Sequence, residues 1–181
     1  MSWFFLVIIA LLALAALRPG FSFRSQRPED YGGKAPAFDI RKHLSGALLC
    51  EGLFYGPRGR VTSRFIARFE GAWDGRTGTL AESFQYDTGN RQERKWHLTM
   101  GEEGHFTATA DDIIGTATGR QMGAAVSMKY RIRLPEEAGG HVLTVTDWLY
   151  LMENGHIFNR SEMRKFGIKV AELIATMRPV E

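Results

Sequence analysis

The polar side chains best placed to do chemistry in this chain sit in phase with aromatics. Glu82 alternates with Leu80, Phe84 and Tyr86, and Arg94 with Trp96 and Leu98. On strands, that spacing puts a carboxylate and a guanidinium on apolar faces. Burial there is costly unless the groups are paired or bound to a ligand. The Asp87-Thr88-Gly89-Asn90 turn sets the register between them. A simple four-residue loop pairs Tyr86 with Arg91 and leaves Glu82 opposite Lys95, which makes rim or surface salt bridges the plainer reading. A bulge shifts the pairing by one and brings Glu82 to Arg94 inside a lumen. Asn159-Arg160, after Ile157-Phe158, is the second such place. Its arginine either packs its stem over a short helix or anchors a carboxylate or phosphate head group.

Other combinations exclude more than they suggest. Asp111-Asp112 are adjacent, so on a strand they face opposite ways, and a turn role is expected of them. The five histidines (His43, His97, His105, His141, His156) show neither HExxH nor a close pair joined to a carboxylate, so no metal site is expected. No serine sits in a G-x-S-x-G elbow, which leaves nucleophilic catalysis without support. Trp73-Asp-Gly-Arg-Thr-Gly78 lacks the spacing of a phosphate loop and reads as a turn, with Trp73 plugging one end of the fold. No cofactor motif is present. Cys50 is the single cysteine, has no internal disulfide partner, and lies in an apolar run that suits a buried thiol.

The elements that must position these groups have a period of two. Phe65, Ala67, Phe69 and Trp73 share one face of a strand against Arg64, Arg68 and Glu70. Residues 124–134 alternate Ala124, Val126, Met128, Tyr130, Ile132 and Leu134 with polar neighbours. Residues 142–151 form another strand, apolar on both faces near its end. Further strands are expected at 47–55, 79–86, 91–99, 105–110, 114–119 and 168–177. Gly- and Asn-bearing turns separate them with little slack. The one helix expected in the domain is Ser161–Phe166, opened by a serine cap and ended by Gly167. Such a meander closes to remove its edges, giving an all-β, lipocalin-like antiparallel barrel; a two-sheet sandwich is the alternative.

Ahead of the domain (38–181) come an apolar segment (1–22) and a Pro/Gly-bearing linker (23–37). The unbroken apolar run Trp3–Leu17 spans about 22 Å as a helix, short of a ~30 Å hydrocarbon core. It reads as a membrane anchor, with a cleaved signal peptide as the alternative: Ala13-Leu14-Ala15 resembles a cleavage site, but no basic residue precedes the run. Two of the chain's three net positive charges lie in residues 1–34, so basicity is juxtamembrane and does not point to nucleic acid. Arginines after the run favour a cytoplasmic domain.

Three blocks carry a resemblance: Gly71–Leu80, Thr109–Gly119, and Asp147–Leu151 continuing through Asn159–Gly167. As an ordered set they resemble a bacterial family known as domain of unknown function 3833, many of whose members carry a lipoprotein label. The resemblance implies a lipocalin-like barrel at an envelope membrane and supplies no activity. No cysteine follows the apolar run here, so lipidation does not carry over. The family implies an inner-membrane protein with its domain in the periplasm, against the arginines.

Three function classes follow. The first is a tethered barrel binding a small apolar or amphipathic, lipid-like molecule through Phe65, Phe69, Glu82, Arg94, Trp96, Tyr130, Trp148, Asn159 and Arg160. The second is an envelope interaction or assembly protein with a filled lumen. The third is an enzyme acting on a lipid-like substrate, with Glu82, Asp111 or Asp147 as base.

Overall fold

Alternation of apolar and polar side chains runs through nearly the whole domain, and each alternating run becomes a strand. The computed structural model describes residues 2–16 and 22–180. Ten strands follow one another: β1 (Gly46–Tyr55), β2 (Val61–Asp74), β3 (Thr77–Tyr86), β4 (Arg91–Met100), β5 (His105–Thr109), β6 (Ala117–Met122), β7 (Ala125–Arg133), β8 (Val142–Leu151), β9 (Ile157–Lys165) and β10 (Ile168–Pro179). Each pairs antiparallel with its sequence neighbour, and β10 returns to β1 from Leu48↔Pro179 to Tyr55↔Glu172. The sheet therefore closes on itself, which removes every unpaired edge and excludes the sandwich.

Inward side chains form one continuous core. Leu48, Phe69, Met100, Phe106, Leu151, Ile157 and Met177 fill its lower part. The four-residue helix α2 (Ile40–His43) closes that end, with Ile40 and Leu44 buried beneath the strands. Trp73 lies beside this cap as expected, its Nε1 donating to the Leu44 carbonyl at 2.9 Å. Gly78 makes room for the Trp73 ring, which occupies the space a Cβ would need.

Three expectations are corrected. Residues 161–166 are strand rather than helix: Ser161–Lys165 continue β9, and Phe166-Gly167 form the tight turn into β10. The strand expected at 114–119 begins at Ala117, because residues 110–116 fold over β7 through Ile114 N to Arg131 O and Arg133 N to Asp112 O. The linker is a strap lying on the barrel wall. Phe23 and Tyr31 pack with Trp148 and Tyr150, and Tyr150 Oη donates to Gln26 Oε1 at 2.6 Å. The apolar outer face of β8 is thus covered by the strap. Further along, Phe38 N donates to the Gly123 carbonyl at 2.8 Å. Gly123 has φ +53°, and a Cβ there would overlap the Tyr31 carbonyl.

N-terminal to the strap, Ser2–Ala16 form helix α1. No helix of the described residues is long and apolar enough to cross a membrane. The rest of the expected anchor, including Arg18 and Phe21, lies outside the described residues.

Candidate functional site

Polar groups enter the lumen where strand parity forces them inward. On β3 Glu82 follows Leu80 and precedes Phe84, and on β4 Arg94 lies next to Trp96 on the same face. The two pair directly. The last pair of this hairpin is Gln85↔Arg91, one residue away from the simple-loop register, so the lumen reading holds and the rim reading does not. Tyr86 N donates to Asn90 O at 2.9 Å to close the turn, and Gly89 supplies its φ of +87°.

Arg94 is the hub. Its Nε donates to Asp112 Oδ1 at 3.1 Å, and its Nη1 lies 3.9 Å from Glu82 Oε2. The guanidinium stacks 4.1 Å from the Trp96 ring centre and 5.8 Å from that of Tyr130. Its buried Nη2 has no hydrogen-bond partner among the described residues. Across the lumen, Asp147 on β8 accepts from Asn159 Nδ2 and Ser161 Oγ on β9, both at 2.5 Å. Asn159 Nδ2 also reaches the Trp148 carbonyl at 3.0 Å.

Three carboxylates thus share the lumen with one guanidinium, and full ionisation would leave an uncompensated negative charge in a low dielectric. Burial pushes Glu82 up to about 7; Arg94 opposes the rise, while Asp147 and Asp112 add to it. Burial likewise raises Asp147 against the hydrogen bonds from Ser161 and Asn159. The Tyr130 hydroxyl is raised by burial, so it stays protonated and a donor. Cys50, pushed up to about 12 mainly by burial, remains a thiol.

Around this belt lies a cavity of about 260 Å³, just under the roughly 300–1,000 Å³ common for ligand pockets. It extends from the α2 cap to Arg133, Leu134 and Pro135 at the other end of the strands. One wall is a chain of aromatics: Phe54–Phe65 at 5.6 Å, Phe65–Phe84 at 5.3 Å and Phe69–Phe84 at 5.6 Å between ring centres. The wall continues through Trp96 on the neighbouring β4, which meets Tyr130 of β7 edge to face at 5.3 Å. No group of three or more potential metal ligands occurs among the described residues.

Seven residues expected from the sequence line this cavity: Phe65, Phe69, Glu82, Arg94, Trp96, Tyr130 and Asn159. Trp148 and Arg160 do not. With Asp147, Asn159 and Ser161 inward, their neighbours must face outward. Trp148 packs 5.3 Å from Tyr31, while Arg160 lies 4.6 Å from the Phe23 ring and donates to Glu172 at 2.6 Å. Sequence reasoning gave Asp112 a turn and Ser161 a helix cap, and both belong to the belt. Carrying the parity of Ile157 through Asn159 would have found Ser161; nothing in the sequence marks Asp112.

A closed antiparallel meander around an apolar cavity with a charged belt defines a lipocalin-like barrel. Within that class the chain belongs to the family described as protein of unknown function (DUF3833), whose model matches residues 20–179. No curated protein sequence matches it. Among solved structures it is similar to the S-type phycobiliprotein lyase CPES from Guillardia theta, at 6% identity and a TM-score of 0.59, covering 78% of this chain and 91% of that one. It is also similar to Rv2717c from M. tuberculosis, at 14% identity and a TM-score of 0.57, covering 82% and 99% respectively. At these identities the likeness is one of fold.

Proposed function

We propose that this protein binds one small amphipathic, lipid-like molecule in the barrel lumen. The observation that carries the reading is the unpartnered, buried Arg94 Nη2 beside an aromatic-walled cavity. A buried guanidinium donor without an acceptor is costly, and a ligand oxygen would satisfy it. The ligand's apolar part would lie against Phe54, Phe65 and Phe84. Its polar end would meet Arg94, with Glu82 and Tyr130 as further hydrogen-bonding groups. The cavity's size suits a single chain or ring system whose remainder leaves through the mouth.

The membrane tether is part of the proposal. Helix α1 is apolar around its circumference, with Trp3, Phe5, Leu6, Ile9 and Leu11 each at least 60% exposed. A helix of that kind belongs in lipid or against a partner. The family resemblance favours the inner membrane with the barrel in the periplasm. Protease added to intact spheroplasts would cleave a periplasmic barrel and spare a cytoplasmic one.

A second reading, an enzyme on a lipid-like substrate, is favoured by one observation: Glu82, with its proton affinity raised to about 7, is poised as a general base inside the cavity. One experiment addresses both. The full chain, extracted in mild detergent from its membranes, is examined by native mass spectrometry and the bound material extracted. A stoichiometric small molecule supports binding; the same molecule recovered altered after incubation supports the enzyme. A clean apo mass, with no uptake from an added lipid extract, overturns both.

A further inference from the structure

At the open end of the barrel the β9–β10 turn carries a side chain that folding alone does not explain. Phe166 is 94% exposed and Ile168 69% exposed. Phe166 also has φ +51°, a left-handed conformation that bulky residues rarely adopt. A two-residue turn of this shape is normally given to Asn-Gly or Asp-Gly. Strained placement of a large apolar group in solvent is a reason to look for a function.

Its surroundings are cationic. Because β10 pairs with β1, the β9–β10 turn neighbours the β1–β2 loop at the same end. Residues 56–60 and 165–169 contain Arg58, Arg60, Lys165 and Lys169 and no carboxylate. Arg164 and Lys169 are held by Glu162 and Glu172. Arg58, Arg60 and Lys165 form no ion pair among the described residues; Lys165 Nζ lies 3.0 Å from His141 Nδ1 and 5.7 Å from the centre of the Phe166 ring. Glu136 confines the positive arc on one side, in the adjoining β7–β8 loop.

We propose that the arc formed by the 165–168 turn and the 56–60 loop docks the barrel, mouth first, on an anionic lipid bilayer, with Phe166 and Ile168 entering the interface. An exposed aromatic and an aliphatic beside unpaired cations match the apolar and charged components of membrane-surface binding. The docked mouth then opens onto lipid rather than water. This inference stands whether or not the lumen is occupied.

The test uses the full chain carrying a single environment-sensitive label at Phe166→Cys, Cys50 being buried. A second preparation is labelled at Asn154→Cys in the β8–β9 loop at the capped end. Both are mixed with phosphatidylcholine vesicles with and without phosphatidylglycerol, some containing nitroxide-tagged lipid. Flotation reports attachment of the chain; blue shift and nitroxide quenching report docking of the arc. The expected result is quenching several-fold stronger at 166 than at 154, increased by the anionic lipid and largely abolished by R58E/R60E while flotation persists. Flotation with equal quenching at the two sites, or quenching at 166 indifferent to anionic lipid, overturns the proposal. So does a chain that floats with neither vesicle.

Discussion

Glu82 and Arg94 face each other across β3 and β4 with their nearest charged atoms 3.9 Å apart, an ion pair too long to be a hydrogen bond. Both lie in the lumen, and burial raises the proton affinity of Glu82 although Arg94 opposes the change. Because its folded value, about 7, lies above its unfolded one, the native state holds the extra proton between these values, and stability falls as pH rises through that window. The penalty is absent below about pH 4 and complete above about pH 8. Glu82→Gln is therefore expected to stabilise the barrel at pH 8, by roughly 3 kcal/mol at most, and to change little at pH 4. Urea unfolding at the two pH values measures this. A Gln variant less stable at pH 8 would show that the ionised carboxylate is favourable where it sits.

Arg94 has the opposite character. Replacing it with Met keeps much of the side-chain volume and the packing on Trp96, but leaves Asp112 and Glu82 without their cation. The expected cost is about 3–5 kcal/mol at pH 8, shrinking toward acid as Glu82 takes up its proton. The proposed ligand would also be lost. Native mass spectra of Arg94→Met and of Glu82→Gln, compared at equal folded fraction, separate the two effects: only the first is expected to abolish retention.

Most strands were legible because their inward residues are apolar and their outward ones are not, as in β2 and β7. Legibility failed where function or covering chain altered that contrast. β9 places Asn159 and Ser161 inward, so its alternation carries no hydropathic signal, and Ser161 with Gly167 imitates a helix cap and stop. The same left-handed glycine serves a helix end and a hairpin turn, and the local sequence does not separate them. Trp148 was expected in the cavity because β8 is apolar on both faces. Its outer face is apolar because the strap lies on it, and a segment without periodicity gave no sign of docking there. Asp112 reaches Arg94 through a loop whose path over β7 is a tertiary outcome.

The strap makes its own prediction. Trp148 is almost fully buried between Phe23, Tyr31 and Tyr150 on the outside of a barrel whose core it does not enter. Trp148→Ala is expected to cost about 3–5 kcal/mol of local stability by the usual scale for a large aromatic. The loss should fall on the strap rather than on the barrel. Limited trypsin digestion is expected to cut after Arg24 or Lys34 well before the barrel, where the parent chain resists. Loss of the whole barrel in one step would mean that strap and barrel fold as a unit.

Phe166 permits a prediction in which stability and function move apart. Its left-handed conformation, followed by Gly167 at φ +79°, is one that asparagine tolerates far better than phenylalanine. Phe166→Asn should relieve strain and, with the ring 94% exposed, forfeit almost no packing. A gain of about 1 kcal/mol in urea unfolding is expected. The same substitution removes the largest apolar group from the cationic arc. A fluorescent label at Ile168→Cys should then be quenched less by nitroxide lipid in anionic vesicles, although the barrel itself is firmer. If the turn were merely structural, the variant would gain stability with no change in quenching. Opposite movement of the two readouts is the signature of a side chain kept at a conformational cost for contact with a membrane.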